Sequence, residues 1–402
     1  MNAPTTVHEM KIMTQLPDMG SGPIPVEPYV SADYFEKERE KVFKRAWINV
    51  GHVNAHIPNP GDYMVREVDF LGSGKSIILI HGRDGVVRAF HNICTHRGNV
   101  LAKGSGNVRT AFICGIHGWS FGLDGSLRPV PSEDQFPTLN RAEYGLPPVT
   151  TDVWKGFIFI NDQEKPETSL LDFLGGMAGQ LKDMPFDDYR LIQRCGARLK
   201  CNWKVYVDAF QEAYHVSIVH AESLTHMAAD PNMYVPTSIR TYGPHRSISC
   251  WADPEHKPTP AEAIAWKHNG AAVTPKAGRE KDSWTNPGND DHWWFDINVI
   301  FPNVTFLIGT GWFLTYSFYP INVDETYWEM NLYQLPASTP GQKIAQQLTA
   351  SNTRDFQYED LSTMEGVHAG LKTGVMKTFL PGEFEVCIRH QRWAIEQWIN
   401  AK

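Results

Sequence analysis

The stretch Cys94-Thr95-His96-Arg97-Gly98, followed after 17 intervening residues from His96 by Cys114-Gly115-Ile116-His117-Gly118-Trp119, decides how the first half of this chain is read. Each half supplies one thiolate and one imidazole. Two Cys on one iron and two His on the other distinguish one kind of two-iron, two-sulfur centre from an all-Cys ferredoxin, and replacing thiolates by neutral imidazoles raises its potential. Gly98, Gly115 and Gly118 let two loops turn tightly, so that backbone N–H groups can face the bridging sulfides. Structural zinc also accepts two Cys and two His. The doubled ligand loops, their β-rich setting and the helix-free spacing favour the cluster. Colour separates the two, zinc protein being colourless and the cluster red-brown.

Outward from this pair, short β-rich runs (Tyr63–Val68, Ile77–His81, Val86–Asn92, Gly156–Ile160) alternate with Gly, Pro and Asp turns, so Ile48 to about Asp162 reads as a small all-β domain. Gly72-Ser73-Gly74-Lys75-Ser76 looks like the end of a phosphate-binding loop. Asp69 stands where that motif needs its first Gly, so a hairpin turn is the reading. Upstream, the Pro/Gly-rich residues to about Val30 read as loose, and Ser31 caps a helix-like run from Ala32 to Trp47. Downstream, Asn161–Glu167 reads as a linker. It leads to a strand-like run, Gln193–Leu199, and a helix from Asn202 to His220. A polar stretch from Asp253 to Asp291 reads as an excursion or lid. Aromatic strand-like runs follow (Trp293–Phe301, Thr305–Ile308, Gly311–Tyr319, Tyr327–Leu335), then helices near Ile344–Leu371 and Glu385–Ile399. A sheet plus long helices makes this second part α+β. The expected division is 1–46 as an N-terminal segment and helix, 47–163 as the cluster domain and 164–402 as the catalytic domain.

A cluster that moves one electron does no chemistry on carbon, so the second part must supply it. It contains Asn202-Trp203-Lys204, then Glu212-Ala213-Tyr214-His215, then His220. Two His and one carboxylate on one face of an iron leave positions free for oxygen. His215 and His220 stand about 140° apart on a regular helix. A π-type bulge or a distorted helix is therefore needed to aim both at one metal. Glu212 lies three residues before His215, on the same face.

Both motif pairs, in this order, resemble those of the Rieske non-haem iron oxygenases, whose large (alpha) subunits include the aromatic-ring-hydroxylating dioxygenases. Respiratory Rieske proteins carry two further cysteines that bridge the loops, where this chain has Asn99 and Ile116. The resemblance implies an all-β Rieske [2Fe-2S] domain held by Cys94, His96, Cys114 and His117, joined to a helix-grip (START-like) antiparallel-sheet domain. It implies a mononuclear Fe(II) held by His215 and His220. Glu212 takes the place of the carboxylate linking that iron to a neighbouring subunit's Rieske histidine. Its third ligand is a carboxylate in Tyr358-Glu359-Asp360-Leu361-Ser362-Thr363-Met364-Glu365, with Asp360 preferred over Asp355, Glu359 and Glu365. The implied activity is mono- or dioxygenation by a terminal oxygenase component, with O2 as co-substrate. Electrons come from NAD(P)H through an external reductase, with or without a ferredoxin, since no flavin fingerprint or plant-type Cys run is present. A homotrimer, with or without a small beta subunit, is implied too.

The expected substrate is an aromatic or other apolar small molecule, hydroxylated or oxidatively dealkylated. Glu at 212, where many ring hydroxylators have Asp, points alternatively to a quaternary amine. Trp293, Trp294, Phe295, Phe306, Trp312, Phe313 and Phe318 lie on the runs expected to wall the pocket, with about half facing inward. The rival from another class is a Rieske electron carrier without oxygenase activity. A formal charge of −8 with no basic stripe argues against nucleic acid. No apolar run approaches about 18 residues, so a cytoplasmic protein away from membranes is expected. Six cysteines suit free thiols rather than a disulfide framework.

Overall fold

The computed structural model describes residues 7–223, 231–253, 256–267 and 284–401. The chain divides into two compact units. One is Arg39–Phe173; the other joins the stretch ending at Glu38 to Leu174–Lys402. The first unit thus extends on both sides of 47–163. Arg45 forks onto Glu167 (Nε–Oε1 2.8 Å, Nη2–Oε2 3.0 Å), Asn161 Nδ2 donates to the Arg45 carbonyl at 2.9 Å, and Trp47 Nε1 donates to the Thr168 carbonyl. The segment expected as a linker is tied down by these bonds.

The first unit is all-β. Its seven-stranded sheet runs Ile48–His52, Phe157–Asn161, Pro148–Trp154, Val87–His91, Ser76–His81, Asp62–Glu67, Ser105–Asn107, antiparallel throughout. The Gly72–Ser76 stretch closes a hairpin, with the Val68 N–H donating to the Lys75 carbonyl at 2.9 Å. A separate hairpin, Ala111–Ile113 with Ser120–Gly122, holds the second Cys/His motif at its tip.

In the second unit an eight-stranded sheet runs Lys11–Ile12, Ser238–Tyr242, His245–Trp251, Trp293–Ile300, Val304–Gly309, Trp312–Asn322, Glu325–Gln334, Arg190–Leu199. It is antiparallel except for the first pair, which is parallel. Four helices matter here: α1 (Ala32–Glu38), α2 (Trp203–Ala209), α3 (Pro340–Lys372) and α4 (Val386–Asn400). The α1 start has the expected cap, Tyr34 N–H donating to Ser31 Oγ at 3.1 Å; past Glu38 the helix widens to π geometry over Arg39–Phe43. Helix α3 begins earlier than the sequence suggested. Thr339 Oγ1 accepts from the Gln342 N–H while Gln342 Oε1 accepts from the Thr339 N–H, and Pro340 fits the first turn. The buried face of α3 (Ala345, Thr349, Thr353, Phe356, Asp360, Met364, Leu371) follows the helical period and packs on α2 and the Arg190–Leu199 strand. Asp360 is the charged member of that stripe.

Two expectations need correction, and a third falls partly outside the described residues. The N-terminal residues are not loose where described: Lys11–Ile12 pairs with Ser238–Ile239, Ile24–Pro25 pairs with Thr378–Phe379, and Glu27–Val30 is a short helix. The expected helix Asn202–His220 is broken. It stops at Phe210 and resumes only as Val216–Val219. Of the expected excursion, residues 254–255 and 268–283 lie outside the described residues, while Pro260–Lys267 is a helix. No helix among the described residues is long and apolar enough to cross a membrane.

Candidate functional site

The two cluster-motif loops are built alike. Cys94 N–H donates to the Asn99 carbonyl and Cys114 N–H to the Trp119 carbonyl. Gly98 and Gly118 N–H donate back to the Cys94 and Cys114 carbonyls. Gly98 (φ +80°) and Gly118 (φ +73°) take left-handed conformations that close these turns, whereas Gly115 needs no positive φ. Both thiols are buried. Backbone N–H groups of His96 and Arg97 face the Cys94 sulfur, and those of Ile116 and His117 face Cys114. The His96 and His117 rings lie 4.7 Å apart, and Trp119 stacks on His96 at 4.7 Å. Asn99 donates from Nδ2 to Cys114 Sγ at 3.6 Å, so the position without a bridging cysteine still touches a ligand sulfur. Two buried sulfurs ringed by N–H donors, with two imidazoles on the outer side, fit a Rieske cluster.

The second set converges within the other unit. Ligand atoms of His215, His220 and Asp360 lie within 4.8 Å of one another. Helix α2 opens on Asn202, whose side chain accepts from the Lys204 N–H. The chain leaves helical geometry at Phe210 and turns through 211–215, and this break, not a π-bulge, swings the two His into register. Arg246, fully buried, helps fix it by donating from Nε to Gln211 Oε1 and from Nη2 to Gln391 Oε1. Glu212 Oε1 stands 2.5 Å from His215 Nδ1, and Glu359 Oε2 stands 2.8 Å from His220 Nδ1. With each Nδ1 facing a carboxylate, each Nε2 is left to face Asp360 Oδ1, at 3.5 Å (His215) and 3.1 Å (His220). Asp360 Oδ1 is buried and has no hydrogen-bond partner. Burial works against a charged His215, yet the hydrogen bond and charge of Glu212, with Asp360, hold its imidazolium above the ordinary range. Two imidazole nitrogens and a carboxylate oxygen converging on one spot form a set that can hold a cation. Two His and one carboxylate suit a non-haem iron with free positions. Of the other carboxylates considered, Glu359 faces His220 from behind, Asp355 pairs with Arg354, and Glu365 accepts from the Lys200 N–H.

A cavity, about 730 Å³ with the solvent space at its mouth included, opens on this point. Trp294, Phe295 and Trp312 line it, as expected, with Trp251, Leu314 and Tyr316. Four other expected aromatics do not. Phe306 and Phe313 pack on Phe186 on the other sheet face, Phe318 packs on Tyr206 of α2, and Trp293 donates to Asp296. Trp251, Met233 and Phe356 line the cavity without having been foreseen. Trp251 ends the His245–Trp251 strand, whose residues are all buried, so no period-2 alternation marks it.

Residues 186–401, more than half of the chain, match the family model of the ring hydroxylating alpha subunit (catalytic domain), and residues 47–141 match that of the Rieske [2Fe-2S] domain. The carnitine monooxygenase oxygenase subunit of Acinetobacter baumannii is 36% identical over 194 residues, 48% of this chain and 51% of that protein. The chloroplastic choline monooxygenase of Spinacia oleracea is 32% identical over 231 residues, 56% of this chain and 50% of that one. The chain thus spans about half the length of the curated relatives it matches. A solved quaternary ammonium Rieske monooxygenase with a bound inhibitor superposes with a TM-score of 0.75 at 25% identity, covering 96% of this chain and 99% of that one. The chain belongs to the ring hydroxylating alpha subunit family, with a Rieske [2Fe-2S] domain ahead of its catalytic domain.

Proposed function

We propose that this chain is the terminal oxygenase component of a multicomponent Rieske non-haem iron oxygenase, and that it oxidises a carbon next to the nitrogen of an alkylammonium substrate. The observation carrying it is the orphaned Asp360 Oδ1 facing two imidazoles at the head of an aromatic-walled cavity. Cys94, His96, Cys114 and His117 would hold the cluster; His215, His220 and Asp360 would hold iron. Iron held there supplies oxygen activation. The chain's own contribution is placement. Trp251, Trp294, Phe295, Trp312 and Tyr316 wall the cavity with aromatic rings, a lining that suits a desolvated cation and excludes water. The names of the carnitine and choline relatives favour this reading over an apolar aromatic substrate. The aromatic reading stays in play because, apart from Glu212 and the three converging ligands, no charged side chain among the described residues lines the cavity.

Oxygen uptake with a reductase and NAD(P)H, screened over quaternary amines, aryl ethers, anilides and arenes, tests the function. Uptake coupled to aldehyde release from an amine supports the reading; a protein with about two iron per chain and no coupled uptake is a carrier instead. Trp294→Leu discriminates further, because it keeps an apolar wall and removes one π face. For a quaternary amine, KM should rise roughly 10- to 30-fold, matching about 2 kcal/mol for a desolvated cation–π contact. An equal change for a neutral arene would refute the cage.

Electrons would reach the iron through Glu212 and His215 from the cluster of a second copy within a homotrimer. Ile113 and Ile116 beside the cluster motif are exposed, as are Tyr214 and Ile218 around Glu212, and such apolar tips suit docking. Glu212→Gln should retain cluster absorbance and iron content while slowing electron transfer in single turnover by roughly 10- to 100-fold. Unchanged single-turnover rates would remove Glu212 from the path.

A further inference from the structure

Two histidines converge on Asp360, and each is backed by a carboxylate, but only Glu212 has a part in the reading above. The other is Glu359. Its Oε2 lies 2.8 Å from His220 Nδ1 and also accepts from Ser223 Oγ at 2.5 Å. We propose that Glu359 is a positioning residue, which accepts the His220 Nδ1 hydrogen, sets the ring tautomer and thereby holds Nε2 on the shared metal point. This rests on the assignment of His215, His220 and Asp360 as iron ligands.

With a metal at the shared point, one proton arrangement is consistent with the geometry. An ionised carboxylate only accepts, so Nδ1 carries the hydrogen and Nε2 the free lone pair. That Nε2 is 3.1 Å from Asp360 Oδ1, an oxygen with no donor of its own. Were the tautomer reversed, Nδ1 and Glu359 Oε2 would face each other as two acceptors. His220 lies just past the short Val216–Val219 helix, on a turn with little regular structure to fix its ring. Glu359 comes from the middle of α3, a 33-residue helix, and is the immediate neighbour of Asp360. One step along a rigid helix thus supplies both a ligand and the group that aims a second ligand. The two side chains differ in burial as these roles require. Asp360 is 3% exposed and Glu359 is 24% exposed, and the two contact opposite ring nitrogens of His220. Glu212 acts on His215 from within the same turn, three residues away, whereas Glu359 reaches His220 across 139 positions of sequence. The pairing ties the broken α2 segment to α3, so ring aim and helix docking depend on each other.

The test uses full-length, cluster-loaded protein stripped of mononuclear iron with a mild chelator and titrated anaerobically with Fe(II). Cluster absorbance monitors the other unit, and the electron paramagnetic resonance of the nitric oxide adduct reports ring placement at the iron. Glu359→Ala is expected to bind Fe(II) roughly 10- to 100-fold more weakly and to broaden that signal, the usual loss for a partner behind a metal-ligating His. Glu359→Gln keeps an oxygen able to accept from Nδ1 and should recover most of the affinity. Glu359→Asp, a methylene short, replaces Ala if that variant does not fold. Wild-type affinity and an unaltered signal in Ala or Asp overturn the proposal, and so does a loss that Gln shares in full. Wild-type protein that takes up no Fe(II) beyond its cluster iron sinks the ligand assignment itself, a different failure from that of Glu359.

Discussion

An Asp360→Ala protein is expected to keep its red-brown cluster and to lose both its mononuclear iron and its turnover. Iron analysis should fall from about three per chain to about two. The expected loss of affinity exceeds the roughly 10- to 100-fold that removal of a partner behind a ligand costs, because one of three donors disappears. Packing makes the outcome readable. Asp360 lies on the buried stripe of α3 between Phe356 and Met364, so Ala removes a charge from an apolar face and should not disturb the helix. The same substitution removes the carboxylate oxygen that faces both His215 and His220. Fold loss and ligand loss therefore separate, with far-UV circular dichroism unchanged and iron gone. Full turnover with three iron retained would transfer the role to another carboxylate and sink the assignment.

Much of this site was legible in the sequence, and for an identifiable reason. The cluster loops are local: their chemistry lies in Cys-x-His and Cys-x-x-His spacing, and the turns that close them are marked by Gly98 and Gly118. The pair His215 and His220 was legible as ligands but not in its geometry. A regular helix sets them about 140° apart, and the structure removes that conflict by ending α2 at Phe210 rather than by bulging it. Asp360 could be singled out only by resemblance, since an acidic run offers four carboxylates and burial is not written in residue type. The parts that stayed hidden depend on distant partners. The strand His245–Trp251 buries Arg246, Ser247 and Ser249, which bond to Gln211, Gln391, Gln180 and Asp296 and leave Arg246 Nη1 without a hydrogen-bond partner. Neither alternation nor apolar content announces such a strand. The N-terminal segment was hidden similarly, because its ordering comes from pairing with Ser238–Ile239 and Thr378–Phe379, far along the chain.

The largest effect on stability is expected from Lys204→Met. Lys204 Nζ lies 2.7 and 2.8 Å from the two Glu38 oxygens, with side chains 2% and 0% exposed, and Trp203 Nε1 donates to Glu38 Oε2 at 3.1 Å. The ammonium also sits over the rings of Trp203, Tyr29 and Tyr34 at 5.2, 5.5 and 5.7 Å. One turn on, Asp208 accepts from Tyr29 OH at 2.6 Å; burial raises its carboxyl to about 7 despite that bond and the nearby Arg246. Burial disfavours both charges of the Glu38–Lys204 pair, lowering the lysine and raising the glutamate, so the pair is stable only because each partner offsets the other's desolvation. Removing Lys204 leaves a fully buried carboxylate with one N–H for company. Such a break costs about 3–5 kcal/mol, roughly 6–20 °C in midpoint for a unit of this size. Glu38→Leu with Lys204→Met should lie much closer to wild type than either single change, because it deletes both charges from an apolar pocket. The consequence reaches the iron. Glu38 lies on α1 and Lys204 on α2, and the segment that breaks out of α2 carries Glu212 and His215. Unpinning α2 should therefore lower Fe(II) retention as well as the midpoint, while the double variant restores both. Single variants melting within about 1 °C of wild type would show that the pair is dispensable, and a double variant no better than the singles would trace the loss to packing rather than to stranded charge.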